Sequence, residues 1–358
     1  MTISTNPTLP MASESIIPPD APLLVTGSNG FLGRRVVHRL CEAGYRNLRC
    51  FVRPSSRLKG LREVLDYHGV EPEIVCGDLL SRADCERAAR DVRVVCHLAA
   101  GFDKSFAGAF MNSALATRNL IEAFLEVGRP KRFVNVSSFA VYSNLNMPRQ
   151  AFLDEKCPLE DAAQERHDAY GFGKLKQEEI VRAYGERKGL PYIILRPGTI
   201  YGPGKKDLTG RIGIDTFGFL IHIGGRNELP LTYVDNCADA VVLAATKSDV
   251  NGEVLNVVDD ELLTSREFLQ AWKRRTARHF SVRLPYWLAW RLSGLWEDFS
   301  RYRSGQLPPA FNRRRCAAEW RGNRFSNRKL KEKLGWEPRV SLEAAMESYL
   351  AQFGPAAH

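Results

Sequence analysis

A turn with three evenly spaced glycines most constrains what this chain can fold into. Residues 21–26 (APLLVT) form a short apolar run typical of a buried parallel strand, and the apolar side chains of residues 34–43 recur at helical spacing. Between them, Gly27 can adopt a backbone conformation closed to other residues, Gly30 lets the main chain approach a pyrophosphate, and Gly33 lets the helix pack on the strand. The N-terminus of that helix then faces the phosphates. The segment predicts a dinucleotide site with the contact residues Gly27, Asn29, Gly30, Phe31, Leu32 and Gly33.

Strand-like and helix-like segments alternate after this turn. We expect strands at 48–52, 73–76, 92–98, 132–136 and 192–195, and long helices at 106–127 and 166–188. The alternation predicts an α/β fold, a Rossmann-type doubly wound parallel sheet, with a smaller C-terminal α/β substrate lobe. Ligands of such a sheet lie beyond the carboxyl ends of its strands. The residues that fall there are Gly27, Arg53, Asp78, Ala99, Ser138 and Arg196.

A tyrosine and a lysine four residues apart, Tyr170 and Lys174, lie between the expected strands at 132–136 and 192–195. Moving a hydride to or from a secondary carbon requires that a hydroxyl proton be taken or supplied in the same step, and an ordinary tyrosine, with a pKa near 10, is a poor base at neutral pH. A lysine on the same helical face stabilises the phenolate and can hydrogen-bond the ribose beside the nicotinamide. The pair therefore predicts nicotinamide redox chemistry with Tyr170 as the base or acid.

The end of the second strand bears on the choice between NAD and NADP. A carboxylate there would accept hydrogen bonds from the adenosine ribose of NAD, but the chain reads Cys50 to Arg57 (CFVRPSSR). The guanidinium of Arg53 can pair bidentately with a 2′-phosphate, which slightly favours NADP, and Arg34 could share that role. The alternative is that Arg53 stacks on adenine or faces solvent.

The ordered motifs resemble those of the extended short-chain dehydrogenases/reductases, the NAD-dependent epimerase/dehydratase family, and are also similar to the 3β-hydroxysteroid dehydrogenase branch. The resemblance runs from Leu23 to about Phe353 and is carried by the segments 26–33, 77–79, 97–100, 112–119, 136–142, 170–174, 196–203 and 233–236.

This resemblance implies roles for individual residues. Ser138 would hydrogen-bond the reacting oxygen, with Ser137 as its substitute, and Asp78 would contact the adenine. It also implies a C-terminal lobe closing over the substrate and a homodimer formed by the helices that flank Tyr170 and Asn112. The further cofactor contacts that it implies are Leu79, Leu98, Ala99, Ala100, Asn112, Pro197, Thr199 and Ile200.

Two departures narrow the reaction that the resemblance implies. Family members that remove water from a hexose place an Asp-Glu pair directly after the catalytic hydroxyl residue, because elimination needs a further acid and base. Here Phe139 and Ala140 stand there, which argues against a 4,6-dehydratase and against the family's decarboxylases. What remains is redox at one carbon, either with release of the product or with reduction on the other face, which makes an epimerase.

The substrate class stays open between two interpretations. Arg211 and Arg226 could clamp the diphosphate of a nucleotide sugar, and the loop 196–204 looks like that of sugar epimerases, which favours this class slightly. Residues 229–233 (LPLTY) and the segment 308–338 look as much like the hydroxysteroid branch and favour a hydrophobic alcohol. A protein of another kind, a non-catalytic NAD(P)-binding sensor or scaffold, would not need Ser138, Tyr170 and Lys174.

Length and composition set the domain expectations. The 358 residues, 44% of them hydrophobic, can bury a substantial core. Residues 1–20 are rich in Pro, Ser and Thr and carry no basic segment leading into an apolar one, so we expect a disordered tail and no signal peptide. The NAD(P)-binding Rossmann domain is expected at 21–196 and the substrate lobe mainly at 197–354, with residues 230–246 returning to the Rossmann domain.

Cysteine usage and charge point to a compartment and to partners. The eight cysteines are scattered without a Cys-x-x-Cys pair, and Cys50, Cys76 and Cys96 fall in strand-like runs, so we expect reduced core residues and a cytoplasmic protein. The net charge of +10 calls for an acidic partner, but no nucleic-acid motif accompanies it, and we expect no nucleic acid. The basic face is either solvated or holds a phosphorylated substrate or an anionic membrane surface.

The segment 284–299 (LPYWLAWRLSGLWEDF) carries an apolar stripe at helical spacing: Leu288, Leu292, Leu295 and Phe299. Flanking arginines would let such a helix lie on a membrane, although a stripe of this kind more often packs into a core, and Trp287 and Trp296 look like core residues. The histidines at positions 38, 68, 167, 222 and 279 have no metal-ligand spacing, and we expect no metal.

Overall fold

The computed structural model describes residues 15–101, 103–207, 209–216, 219–276, 280–303 and 311–354. Residues 1–14 of the expected tail, His279, and residues 308–310 of the segment likened to the hydroxysteroid branch lie outside the described residues. The described strands are β1 (Leu23–Thr26), β2 (Leu48–Val52), β3 (Glu73–Cys76), β4 (Val94–His97), β5 (Arg132–Val136), β6 (Phe152–Leu153), β7 (Tyr192–Pro197), β8 (Thr199–Tyr201), β9 (Gly213–Thr216), β10 (Phe219–His222), β11 (Leu231–Tyr233), β12 (Glu253–Val257), β13 (Ser281–Arg283) and β14 (Arg324–Phe325).

Helices connect and cover these strands. They are α1 (Phe31–Glu42), α2 (Lys59–His68), α3 (Arg82–Ala89), α4 (Phe106–Ala109), α5 (Ala116–Val127), α6 (Ala169–Lys188), α7 (Val234–Thr246), α8 (Ser265–Thr276), α9 (Tyr286–Tyr302), α10 (Arg313–Trp320), α11 (Arg328–Leu334) and α12 (Leu342–Ala351). A π-helical turn, Phe110–Leu115, joins α4 to α5, so the helix expected at 106–127 is continuous but widened in its first half.

Seven parallel strands form the main sheet in the order β12-β7-β5-β4-β1-β2-β3. The strand order reverses between β1 and β4, and the carboxyl ends of the strands open a crevice at that switch point. The predicted Rossmann-type, doubly wound α/β fold is confirmed.

Buried aliphatic side chains explain why the first strand and helix form and pack. Every residue of β1 is buried, and the face of α1 that carries Val36, Val37 and Leu40 lies in the core. In the turn between them Gly27 has a φ of +69°, and a Cβ on Gly33 would overlap the Gly27 carbonyl. Both glycines are therefore required by the backbone path itself.

The chain crosses between the sheet and the C-terminal lobe more often than the sequence suggested. Helix α7 packs against α1 and the sheet, and β12 then becomes the outermost strand of that sheet beside β7. The lobe is built from the three-stranded sheet β13-β10-β9 and from helices α9 and α10. Apolar pattern alone did not assign β12, because its pairing partner β7 is about sixty residues away in sequence.

Three sequence expectations need correction. Residues 15–20 are ordered: Ile17 is buried, Ile16 donates its N–H to the Thr246 carbonyl, and the hydroxyls of Ser15 and Tyr45 are 2.7 Å apart. The disordered tail expected over 1–20 was therefore wrong for its last six residues, which are tied down by the end of α7.

The other two corrections concern burial. Cys76 is exposed because β3 is the edge strand of the sheet, whereas Cys50 and Cys96 lie in its interior. Trp287 and Trp296 are exposed on α9 and are not core residues. Among the described residues, no helix combines the length and apolar character needed to cross a membrane.

Candidate active site

Three adjoining cavities cross the carboxyl ends of the parallel strands. The β2 cavity, about 610 Å³, lies beyond β1, β2 and β3; the glycine-turn cavity, about 590 Å³, runs from the β1–α1 turn to β7 and β8; and the tyrosine cavity, about 540 Å³, lies between α6 and the lobe. Gly27, Gly30 and Leu98 line the first two together, and Ser138 and Tyr170 line the last two together. The cleft therefore leads continuously from the end of β2 to the tyrosine.

The β2 cavity gathers most of the residues predicted for the adenosine half of a dinucleotide. Arg53 stands exposed at its edge, where the chain leaves β2. The Asn29 amide donates to the Arg57 carbonyl at 3.0 Å and ties the glycine turn to the loop after β2. The predicted residues lining this cavity are Gly27, Asn29, Gly30, Arg53, Asp78, Leu79, Leu98, Ala99, Ala100 and Asn112.

The glycine-turn cavity fits a pyrophosphate on structural grounds. Helix α1 begins after Gly30 without a side-chain cap and without an acidic residue in its first turn, so its first N–H groups are open to an anion. Helices α3 and α6, by contrast, are capped by Ser81 and Asp168. The predicted residues lining this cavity are Gly27, Gly30, Phe31, Leu32, Gly33, Leu98, Ala100, Ser137, Ser138, Tyr170, Lys174, Pro197, Thr199 and Ile200.

Tyr170 and Ser138 meet where the glycine-turn and tyrosine cavities join. Tyr170 is in the first turn of α6, which Asp168 caps by accepting from the Gly171 N–H at 2.8 Å. Ser138 follows β5, and its hydroxyl hydrogen-bonds the Tyr170 phenol. Burial raises the pKa of Tyr170 to about 12, against the lowering effect of the Ser138 hydrogen bond. The phenol is therefore protonated at neutral pH.

Lys174 lies one helical turn further along α6 and is almost completely buried. Its ammonium donates to the Val136 carbonyl at 2.6 Å and to the Gln177 side-chain oxygen at 3.0 Å. Burial lowers the pKa of Lys174 to about 7, partly offset by the charge of Glu178. Burial therefore dominates the pKa of both groups, and the pKa of Tyr170 lies above its usual value despite the nearby lysine.

A chain of buried hydrogen bonds, which the sequence did not reveal, extends from Lys174 into the sheet. Gln177 accepts from the lysine and donates to the Thr117 hydroxyl at 2.7 Å. The two nitrogens of His97 lie 2.9 Å from that hydroxyl and 2.7 Å from the Thr26 hydroxyl. Burial lowers the pKa of His97 to about 3, so the imidazole is neutral. The one sequence signal was that Gln177 stands a helical turn after Lys174.

An ion pair also missed from the sequence supports the same helix from behind. Arg196 donates to both carboxylate oxygens of Glu178, at 2.8 and 2.6 Å, and to the Tyr142 hydroxyl at 2.9 Å. Burial pushes the pKa of Glu178 upward, but the hydrogen bonds and charge of Arg196 outweigh it and leave that pKa below its usual value. This pair joins α6 to β7, whose last residue, Pro197, lines the glycine-turn cavity.

The tyrosine cavity is lined largely by charged and polar groups from α6, α10 and the loops. Arg211 reaches it and, among the described residues, its guanidinium donates one hydrogen bond, to the Ala318 carbonyl at 3.0 Å. Burial lowers the pKa of Arg211, although the charge of Glu319 works against this. Arg166 is held by Glu160 and Asp168 and is therefore part of the wall. The charged lining residues are Asp103, Lys104, Arg166, Asp168, Arg211, Arg315 and Glu319.

The structure separates the four substrate residues suggested by the sequence. Ser138 and Arg211 both line the tyrosine cavity, and Ser137 is buried behind Ser138 at the wall of the glycine-turn cavity. Arg226 is exposed on the turn after β10 and lines none of the three cavities. The interpretation of Arg226 as a substrate clamp is therefore withdrawn, because the turn carries its side chain to the surface.

Comparison with known proteins agrees with this geometry. The model of the NAD dependent epimerase/dehydratase family matches residues 23–257. The chain is 25% identical over 346 residues to the mouse (Mus musculus) sterol-4-alpha-carboxylate 3-dehydrogenase, decarboxylating, covering 92% of this chain and 90% of that protein. It is 24% identical over 298 residues to an uncharacterized UDP-glucose epimerase of Bacillus subtilis, covering 78% of this chain and 90% of the relative.

A solved structure has the same fold. The UDP-glucuronic acid 4-epimerase of Bacillus cereus, in complex with UDP-glucuronic acid and NAD, superposes with a TM-score of 0.69 at 20% identity, covering 93% of this chain and 98% of that one. The match of the family model across most of the Rossmann sheet agrees with the ordered motifs and with the uncapped glycine turn. The chain therefore belongs to the NAD-dependent epimerase/dehydratase family of extended short-chain dehydrogenases/reductases.

Proposed function

We propose that this protein is an NAD(P)-dependent oxidoreductase or epimerase that acts at a secondary alcohol or ketone of a nucleotide-diphosphate sugar. The observation that carries the proposal is the hydrogen-bonded pair of Ser138 and Tyr170 at the junction of the glycine-turn and tyrosine cavities. A group that moves a proton there can reach a substrate in one cavity and a nicotinamide in the other. A sensor or scaffold would not require such a junction.

Each catalytic side chain has a distinct task in this proposal. When bound, the nicotinamide supplies the hydride acceptor or donor. Tyr170 gives its phenolic proton to the oxygen of a ketone under reduction, or takes the hydroxyl proton of an alcohol under oxidation. Ser138 holds that oxygen beside the phenol. Lys174, placed by Val136 and Gln177, provides the ammonium that favours the phenolate while the proton is away.

Arg211 supports an anionic substrate. Arg211 is half-buried, and a guanidinium whose pKa is lowered by burial gains stability from an anion placed against it. Its fork of donors suits the oxygens of a phosphate or carboxylate. Two of the compared proteins also have an acidic compound in their names. The mouse dehydrogenase is named for a sterol carboxylate, and the Bacillus cereus epimerase is in complex with UDP-glucuronic acid. We therefore assign Arg211 to the substrate's charged group.

Dehydration is not part of the proposed activity. Phe139 and Ala140 occupy the positions of the acid-base pair that elimination uses, and Phe139 is buried against Tyr142 and Phe325. A carboxylate could not replace Phe139 there without being buried among aromatic rings. The same lack argues against decarboxylation assisted by an enzyme acid, although a β-keto acid formed by oxidation can lose carbon dioxide without one.

The proposed cofactor preference is NADP over NAD. Arg53 lines the β2 cavity at the end of β2, where a carboxylate would serve the ribose of NAD. Its exposure leaves the guanidinium free to move onto a 2′-phosphate.

We also propose a homodimer. The faces would be those of α5 and α6, with the partly exposed Phe110 and Met111 in the π-helical turn between α4 and α5. A stable dimer would bury these side chains.

A second candidate function is a dehydrogenase for a hydrophobic alcohol with an attached acid. It is favoured by the near full-length similarity to the sterol carboxylate dehydrogenase and by Leu229 and Leu231, which are buried on the approach to α7. The charged lining of the tyrosine cavity favours the nucleotide sugar instead. Both candidates share the proton transfer by Tyr170 and the anion contact by Arg211.

The test is a paired measurement of turnover. Purified protein is supplied with NAD or NADP and a panel containing UDP-glucuronic acid, UDP-glucose and a sterol carboxylate, and turnover is followed by nicotinamide absorbance and by sugar analysis for epimers. We expect turnover of a nucleotide sugar, with KM raised about tenfold or more in Arg211→Met and little changed in the matched control Arg226→Met. Turnover of the sterol acid alone would select the second candidate, and equal effects of the two variants would contradict the anion contact.

A further inference from the structure

Helix α9 packs with its sides reversed relative to an ordinary surface helix. The fully buried residues of its inward side include the small residues Ala289, Ser293 and Gly294. The close approach is direct, since a Cβ on Gly294 would overlap the guanidinium of Arg313 at the start of α10. The fold therefore packs this helix through small residues and through the half-buried Tyr286 and Trp290, and leaves several other bulky apolar residues on the outside.

The outward side of α9 carries apolar side chains at helical spacing, so that they form one continuous face. At about 100° per residue it centres on Leu295, with Leu292 and Phe299 beside it. Leu295 is 66% exposed, Trp287 is 61% exposed and Tyr302 is 84% exposed. We call the outward-facing residues Trp287, Leu292, Leu295, Trp296, Phe299 and Tyr302 the α9 face.

The charges around the α9 face are mainly positive. Arg291, Arg301 and Arg303 are exposed on this helix against the exposed Asp298, which pairs with Arg301 at 3.4 Å. The guanidinium of Arg303 lies 5.8 Å from the Phe299 ring centre, so charge and aromatic surface are interleaved. The whole chain carries a net charge of +10.

The α9 face combines aromatic and leucine side chains with flanking arginines. This combination suits a helix that lies flat on an anionic bilayer. Apolar side chains enter the acyl boundary, Trp and Tyr suit the headgroup level, and Arg pairs with lipid phosphates. Six exposed apolar side chains on one helix mark an interaction surface. We propose that the α9 face docks the protein peripherally on an anionic membrane surface.

The position of α9 relative to the cleft makes docking compatible with catalysis. The inward side of α9 packs on α10, and α10 contributes Arg315, Ala318 and Glu319 to the tyrosine cavity. The α9 face therefore points away from the cavity wall. A membrane held on that face leaves the substrate cleft open and places it one helix layer from the lipid.

The experiment is co-sedimentation of the full chain with vesicles. One set contains phosphatidylcholine alone, and the other contains about one third phosphatidylserine, each at low and at high salt. We expect binding to the anionic vesicles at low salt, weak binding to the neutral ones, and loss of binding as salt rises. The proposal is overturned if the wild-type chain stays in the supernatant with anionic vesicles at low salt.

Variants separate the apolar and the charged contributions. Leu295→Asp/Phe299→Asp should weaken partitioning at least about tenfold, and Arg291→Glu/Arg303→Glu should abolish the preference for anionic vesicles. Tyr67→Asp, at a 79% exposed aromatic on α2, is the matched control and should bind as the wild type does. Because all these side chains are exposed, the variants should keep wild-type unfolding midpoints.

Two further outcomes would count against the proposal. Wild-type binding by Leu295→Asp/Phe299→Asp would show that another surface holds the membrane. Sedimentation velocity that finds an oligomer of the wild type dissociated by the same variant would show that a second copy of the chain covers the α9 face.

Discussion

Replacing Lys174 with methionine should change how the stability of the cofactor-free protein depends on pH. Burial lowers the pKa of this lysine to about 7, from 10.5 in the unfolded chain. Between these values the unfolded chain holds more protons than the folded one, so the wild-type free energy of unfolding rises with pH by about 1.4 kcal/mol per unit from this group. Below pH 7 both states are protonated, so the slope from this group vanishes and its destabilising effect is at its full size. Methionine at position 174 removes this slope entirely.

The size of the effect follows directly. From pH 7.5 to pH 9 the wild type should gain about 2 kcal/mol relative to Lys174→Met. Taking the difference between the two proteins cancels every other titrating group that they share. The free energy of unfolding of the variant, relative to that of the wild type, should therefore be highest at pH 7 and below. There the folded wild type must keep a desolvated ammonium.

Urea denaturation at pH 6, 7.5 and 9 measures this difference. Lys176→Met is the matched control, because it removes the same kind of side chain from the surface of α6, where it pairs with Glu179 at 2.7 Å. The difference in the free energy of unfolding between Lys176→Met and the wild type should not change with pH. An equally flat difference for Lys174→Met would refute the reasoning, since it would mean that Val136 and Gln177 compensate the buried charge completely.

Three other variants test neighbouring parts of the site. Gln177→Leu removes one hydrogen bond to the Lys174 ammonium and should move the inflection of the kcat/KM pH profile about one unit lower. Gln177→Glu should restore the inflection. An unmoved profile would contradict the role of Gln177 in placing Lys174. Arg53→Ala should weaken NADPH binding about tenfold or more in titrations and leave NADH within a factor of about three; equal losses would remove the case for NADP. Glu178→Gln leaves Arg196 buried without its counter-charge and should lower the free energy of unfolding by about 3 kcal/mol in urea, whereas a loss below about 1 kcal/mol would show that the pair is dispensable.

Local sequence patterns were sufficient for six of the seven strands of the sheet, all but β12, and for the glycine turn. The φ of +69° at Gly27 and the close packing at Gly33 are backbone requirements that only glycine meets, so the residue type itself carries the information. The spacing of Tyr170 and Lys174 likewise places both on one face of α6. These features depend on neighbours within a helical turn, which a sequence displays.

The features that the sequence did not reveal depend on contacts between distant segments. Arg211 and Arg226 look alike in sequence, and only the fold of β9 and β10 brings one to the cavity and the other to the surface. The apolar stripe of α9 was visible, but which side of the helix faces the lobe is decided by how closely α10 approaches Gly294. Burial, which sets the pKa of Tyr170, is also a property of the folded chain.

The central claim is that Tyr170 transfers the proton in a nicotinamide-dependent reaction, and a Tyr170→Phe variant tests it most directly. Cofactor binding is measured by fluorescence titration, and turnover with the best substrate of the nucleotide-sugar panel is followed by nicotinamide absorbance. Cofactor affinity should stay within about threefold of the wild type and turnover should fall at least about 100-fold, because the ring remains and the proton donor is gone. Turnover near the wild-type rate in Tyr170→Phe would contradict the claim.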